Sequence, residues 1–157
     1  MDYSKYKGRP SLRLAGADYG ERRTYFVTFN TKNKEPFFGN PTLAASLLSI
    51  IIHARLANGF CVYGFCIMPE HVHLMVQPVY EITLSNIVRS IKGRMTPVFR
   101  KHHPGETLWQ RGYVDKIIKD EKDFHNVLAY IVLNPVKADL AKDEFEYPFC
   151  GVLDYYL

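Results

Sequence analysis

FCVYGFCIMPEHVHLMVQP, residues 60–78, holds two strand-like runs and the turn between them. Both runs are rich in β-branched and aromatic residues, and Pro69-Glu70 leaves room for nothing longer than a turn. The pattern predicts a strand over Phe60 to Met68 that returns antiparallel as a strand over His71 to Gln77. Side chains two apart on a strand share a face. His71 and His73 therefore present two imidazoles about 7 Å apart along the strand, while Val72 points the other way, into a core. Two neighbouring imidazoles are the start of a divalent-metal site. They are also what a strand can show to solvent, so the remaining ligands and a nucleophile must be sought elsewhere.

Outward from this pair, TYFVTFN (residues 24–30) reads as a preceding strand. Pro41 opens a helix to about Ala57, with Leu43, Leu47, Ile50, Ile51 and Ala54 on one face, and Asn58-Gly59 signals its end. Thr83 to Arg100 predicts a second helix, capped by Thr83, with Leu84, Ile87, Val88 and Ile91 as its core stripe. Leu108 to Ile118 reads as a fourth strand or strand-like segment. Asp120 caps a third helix that carries Phe124, Val127, Leu128, Ile131 and Val132, with Asn134-Pro135 near its end or at a kink. The order strand, helix, strand, strand, helix, strand, helix predicts an α+β fold, the ferredoxin-like split βαβ arrangement. Its antiparallel sheet carries helices on one face, with an added C-terminal helix, and the histidine strand lies centrally.

The 157 residues make a single domain, residues 1–157, of which 1–22 read as an N-terminal arm. Hydrophobic content of 47% supports a real core, and the formal charge is +4. That charge is polarised. Eight lysines and arginines between Arg89 and Lys119 face only Glu106 and Asp115, whereas residues 139–157 hold five acids and Lys142. The basic middle is a candidate phosphate-facing surface. Three cysteines without CxxC spacing read as reduced thiols of a cytoplasmic protein. No signal peptide and no membrane span are expected.

Tyr130 and Asn134 are spaced i, i+4 and share a helix face. A tyrosine hydroxyl can act as a covalent nucleophile, though a free phenol, with a pKa of about 10, is almost wholly protonated at neutral pH. A nearby divalent metal offsets that handicap by polarising the electrophile. An asparagine one turn on can present an amide oxygen as a third ligand. Two imidazoles and an amide suit Mn²⁺ better than Mg²⁺, and phosphate oxygens from a substrate favour either. On its own, Tyr130 also reads as a core tyrosine and Asn134 as a helix-end residue.

Six segments occur in order: GRPSLRL (8–14), TYFVTFNTKNKEPFFG (24–39), GFCIMPEHVHLMVQP (64–78), LWQRGYVDKIIKDEKDF (108–124), YIVLNPVKADL (130–140) and YPF (147–149). In these the chain resembles the HUH single-strand DNA transposases with one catalytic tyrosine. The likeness is to the REP-associated tyrosine transposases and their insertion-sequence-200-like relatives. It implies His71 and His73 as the metal pair, Tyr130 as nucleophile and Asn134 as the polar residue that helps hold the metal, Mg²⁺ or Mn²⁺. The implied reaction is cleavage and rejoining of single-stranded DNA beside a hairpin, a REP-like palindrome, through a 5′-phosphotyrosine intermediate. The implied partner is that DNA, the implied assembly a homodimer, and the implied setting the bacterial cytoplasm and nucleoid. A hairpin-binding regulator that keeps the fold without cutting is the alternative from another class, and a water-using phosphodiesterase a third.

The chain also departs from that pattern. Glu70 stands where asparagine is common, Val132 and Leu133 where polar residues are frequent, Ala138-Asp139 where Ala-Gly is usual, and PFCGVLDYYL where a Trp-Ser-Ser ending is often seen. Arg89, Lys92 and Arg94 read as a DNA-facing helix surface or as a solvated one. Trp109 and Arg111 read as a base-stacking and phosphate-gripping pair, with Trp109 equally readable as a core anchor.

Overall fold

A computed structural model describes residues 22–154. The arm expected over residues 1–22 lies outside them, Arg22 excepted. The elements run β1 (Tyr25–Asn30), α1 (Pro41–Asn58), β2 (Phe60–Ile67), β3 (His71–Pro78), α2 (Leu84–His102), β4 (Val114–Ile117), α3 (Glu121–Lys137) and β5 (Cys150–Val152). Short 3-10 turns, Lys32–Lys34 and Phe37–Gly39, bridge β1 to α1. The sheet order is β4-β1-β3-β2-β5, with every neighbouring pair antiparallel. The crossovers through α1 and α2 each skip one strand, which fills the gap, and the connection through α3 runs from the β4 edge to the β5 edge. The histidine strand β3 is the central one of five.

Local signals fix the helix ends. Asn40 Oδ1 accepts from the Thr42 N–H at 2.9 Å, Pro41 occupies the first turn, and Gly59 closes α1 at φ 69°. Asp120 Oδ1 accepts from the Asp123 N–H at 2.8 Å to start α3. The Asp123 carboxylate in turn takes Lys116 Nζ at 2.6 Å and the Lys119 N–H at 3.1 Å, tying that start to β4.

The two sheet faces are covered differently. Val27, Phe29, Val62, Ile67, Val72, Leu74 and Val76 join the buried faces of α1 and α2 in the main core. On the other face Cys66, Met68 and Met75 meet Val127 and Ile131 of α3. The first two helices thus share one face, and the added helix covers the opposite one. A bulge between Val62 and Gly64 makes this possible. Strict alternation would put Cys66 on the side of Phe60 and Val62. The extra residue restores Phe65 and Ile67 to the main core and turns Cys66 toward α3. A Cβ built on Gly64 would lie 2.6 Å from Leu128 Cδ1, so a side chain there would have to displace the Leu128 side chain of α3.

Two features differ from expectation. The fourth strand shrinks to Val114–Ile117, and Trp109 pairs with Thr31 only as an isolated bridge. Gly112, at φ 83°, breaks the run between them. The acidic end, for which no strand is expected, supplies β5, which pairs with the edge of β2 over Gly64–Cys66. Pro135 lies inside α3 and has no N–H, so it cannot bond the Ile131 carbonyl one turn back. The Cys150 thiol of β5 donates to that carbonyl at 3.4 Å.

Candidate functional site

On the α3 side of the sheet, register sets Thr28, His73, Cys66 and Cys150 in one row across β1, β3, β2 and β5. His73 is buried there at 5% exposure, and His71 is half-buried one step along the strand. The two imidazoles converge, with Nε2 to Nε2 at 3.0 Å. Their other nitrogens are held from behind: His71 Nδ1 lies 2.8 Å from Glu70 Oε1, and His73 Nδ1 lies 2.7 Å from Thr28 Oγ1. A carboxylate only accepts, so His71 carries its proton on Nδ1 and turns an Nε2 lone pair to the front. With Thr28 as acceptor, His73 does the same. This is the arrangement in which a hydrogen bond behind the ring orients a metal-binding imidazole. It also answers what Glu70 does: its carboxylate sits behind His71, not across from it.

The ionisation state agrees. Burial pushes the His71 imidazole below its ordinary pKa. The Glu70 carboxylate and Asn134 oppose that shift, and the Lys34 charge reinforces it. His73 is held well below the usual imidazole range by burial, and then by its neighbour His71. Both rings are neutral at neutral pH, the form that offers lone pairs. Two lone pairs 3.0 Å apart repel unless a proton or a cation lies between them. Two ligand bonds of about 2.1 Å at a right angle span about 3.0 Å, so the gap suits adjacent donors to one ion. Among the described residues no three His, Cys, Asp or Glu side chains converge as a metal cage. Further donors must come from an amide or from a bound substrate.

The helix above carries an amide, Asn134. Val127, Ile131 and Pro135 are the buried stripe that docks α3 on the sheet. The neighbouring stripe, Tyr130 and Asn134, therefore projects along the sheet surface toward the imidazoles. The Tyr130 ring meets the His73 ring edge-on at 5.5 Å between centroids and the Phe26 ring at 5.9 Å. Asn134, one turn on along the same stripe, is near enough to His71 to influence its imidazole. All four residues expected to act together stand together, and Tyr130 lies beside the histidines of its own chain. Chemically, this is a phenol, two neutral imidazoles and an amide around one point on a rigid sheet.

The residues expected to contact DNA are placed differently. Arg89 and Arg94 are exposed on α2, on the far face of the sheet, and Arg111 is exposed on the loop after it. Lys92 Nζ donates to the carbonyls of Gln110 at 3.1 Å and Gly112 at 2.6 Å. Burial lowers its pKa to about 8. Trp109 Nε1 donates to the Lys92 carbonyl at 3.1 Å, and its ring packs against Phe29 and Phe38. Lys92 and Trp109 thus clasp the loop to α2. Thr28, Phe26, Lys34 and Lys137 adjoin the site without having been singled out from sequence. The i+7 spacing of Lys137 from Tyr130 was a readable signal; the positions of Thr28 and Lys34 depend on strand register and loop path.

Comparison with known proteins agrees with this geometry. The family model described as "Transposase IS200 like" matches residues 21–134. An uncharacterized protein of Haemophilus influenzae is 28% identical over 159 residues, covering 82% of this chain and 88% of its own. A REP-associated tyrosine transposase of Escherichia coli is 28% identical over 128 residues, covering 80% of this chain and 74% of its own. Among solved structures, a REP-associated tyrosine transposase bound to a REP hairpin superposes with a TM-score of 0.70 at 24% identity. It covers 84% of this chain and 78% of that one, and shares the fold.

Proposed function

Because this chain belongs to the IS200-like transposase family, we propose that it cleaves and rejoins single-stranded DNA beside a hairpin through Tyr130. We read its sheet as a ferredoxin-like core extended by α3 and β5, with the site between α3 and that core. The observation that carries the reading is the position of Tyr130, with Asn134 on the same stripe of α3, against the ring of His73, one of the paired imidazoles. The family supports the transposase chemistry, and a relative bound to a REP hairpin supports a folded DNA substrate. In this reading the protein works where such DNA is found, in the bacterial cytoplasm with the nucleoid.

In this reading His71, His73 and Asn134 hold a divalent cation, Mn²⁺ or Mg²⁺. When bound, the cation supplies positive charge to the phosphate oxygens. Tyr130 Oη attacks the phosphorus. The Oη–P bond forms as the bond from phosphorus to the 3′ oxygen breaks, and the phenolic proton is balanced by protonation of the released 3′ oxygen. The products are a 5′-phosphotyrosine and a free 3′ hydroxyl. Because one phosphoester replaces another, the step is nearly isoenergetic and the same hydroxyl, or another, can reverse it. Glu70 and Thr28 hold the two imidazoles in orientation. Phe26 and His73, with ring centroids 5.3 Å apart, form a pair of rings against which the Tyr130 ring packs edge-on.

The test is incubation with Mn²⁺ and an end-labelled single-stranded hairpin oligonucleotide. The expected result is an SDS-resistant adduct, absent in Tyr130→Phe. Cleavage that survives Tyr130→Phe points to water as nucleophile, and binding without cleavage points to a regulator; either outcome defeats the reading.

A further inference from the structure

Two lysines lie near this site, one on the helix that carries Tyr130 and one on the loop beside His71. Lys137 follows Tyr130 by seven residues and Asn134 by three, so it extends the same stripe of α3. Its Nζ stands 5.0 Å from the centroid of the Tyr130 ring. Lys34 ends the short turn after β1, Lys32–Lys34, which Thr31 ties to the Glu70 carbonyl next to His71. Its backbone is unusual: Asn33 and Lys34 adopt φ 53° and 55°, two consecutive left-handed residues without a glycine. Each such residue costs about 1 kcal/mol or more. Thr31 holds the loop in place: its N–H donates to the Glu70 carbonyl at 3.0 Å, and its one hydroxyl proton is shared between the carbonyls of Glu35, at 2.7 Å, and Glu70, at 3.0 Å. The strained loop is therefore tied to the residue that precedes His71. Backbone strain of this kind persists where the surroundings impose it, often beside a ligand.

The two ammonium groups also differ from the other cations near the sheet. Lys116 is committed to Asp123, Arg55 to Asp154, and Lys92 to two carbonyls. Among the described residues neither Lys34 nor Lys137 has a carboxylate within ion-pair distance, and both are exposed. A phosphodiester enters with one negative charge and gains a second as the phenol oxygen adds, so cations fixed on either side stabilise the reacting state more than the bound state. A lysine acts there as a mobile point charge.

We propose that Lys137 and Lys34 form a clamp on the scissile phosphodiester, each ammonium donating to a nonbridging oxygen, Lys137 from the Tyr130 side and Lys34 from the His71 side. This rests on the reading of Tyr130 as nucleophile. It assigns both lysines to the reacting phosphate, not to the flanking strand or to the hairpin.

The experiment compares wild type with Lys137→Gln and Lys34→Gln on two oligonucleotides. One carries an ordinary scissile phosphodiester, the other a neutral methylphosphonate at that one linkage. On the phosphodiester each variant forms adduct about 10- to 100-fold more slowly, and the arginine variants recover part of the rate. On the methylphosphonate, which offers a lysine little charge to meet, the loss shrinks toward nothing. A second readout needs no chemistry. In the Tyr130→Phe background the salt dependence of single-strand binding falls by about 0.7 in log–log slope for each lysine replaced. Equal losses on both oligonucleotides with unchanged slopes make the lysines structural and overturn the clamp. No adduct with wild type defeats the nucleophile reading and the clamp with it. Adduct formation that neither glutamine variant slows defeats the clamp alone.

Discussion

On one face of the sheet, Val27, Phe29, Val72, Leu74 and Val76 are sealed under α1 and α2, each with 4% exposure or less. On the other face, Thr28, His71 and His73 share the sheet surface with a small core of Cys66, Met68 and Met75. The same strands serve both faces. β3 alternates an aliphatic contribution to the first with an imidazole contribution to the second. The first face is where stability resides, because aliphatic burial is worth about 25 cal/mol per Å². The second gives up part of that burial to keep polar groups oriented and unsolvated. It follows that substitutions of adjacent residues on one strand should separate folding from chemistry.

The largest expected effect is on the polar face. Tyr130→Phe should abolish adduct formation, by on the order of 10³-fold or more, while moving the urea midpoint little, since only a hydroxyl is lost. A fully active Tyr130→Phe protein would break the contrast outright. On the apolar face, Leu74→Ala empties a fully buried site and should cost about 3–5 kcal/mol of unfolding free energy. His71→Ala, three residues away and facing the other way, should cost about 1 kcal/mol or less and yet lose cleavage. Equal destabilisation by the two would show that the faces are not divided as described.

Smaller changes sharpen the division. Glu70→Gln keeps the shape but removes the charge behind His71, and should weaken Mn²⁺ affinity by about tenfold, as read by calorimetric titration. Gly64→Ala places a methyl 2.6 Å from Leu128 Cδ1 and should cost about 1–3 kcal/mol. Because the side chain it displaces belongs to α3, its rate loss should exceed that of an equally destabilising change on the apolar face. The smallest effect belongs to Lys92, brought down by burial to about 8 from an ordinary 10.5. Between those values the unfolded chain holds a proton that the folded chain has released, so stability from this group rises with pH across that window and is absent below it. The gap between wild type and Lys92→Met in urea unfolding should therefore move in favour of wild type from pH 7.5 to 10. Allowing for its partial exposure, the change is about 1 kcal/mol.

The apolar face was the more legible in sequence. Strand and helix patterns over residues 24–30, 41–57, 60–77 and 83–100 correspond to observed elements, because period and capping chemistry are local. His71, His73, Tyr130 and Asn134 were readable from spacing together with family likeness, and the structure brings them together. What was hidden depended on long-range register. No local signal tells that Thr28 stands opposite His73, or that the bulge at Tyr63–Gly64 turns Cys66 toward α3. β5 was missed because three residues following an acidic, turn-rich segment carry almost no strand pattern. Its anchors are the β2 edge and the carbonyl that Pro135 leaves without an N–H, long-range partners that pattern reading does not supply.

The central claim is that the polar face forms a covalent bond to DNA through one residue. The most direct measurement is peptide mapping by mass spectrometry after reaction with Mn²⁺ and a hairpin oligonucleotide of defined sequence. The account predicts a nucleotide fragment attached by its 5′ phosphate to the peptide containing Tyr130, and a released strand ending in a 3′ hydroxyl. A fragment attached to any other residue, or cleaved strands with no protein-bound phosphate, would contradict it.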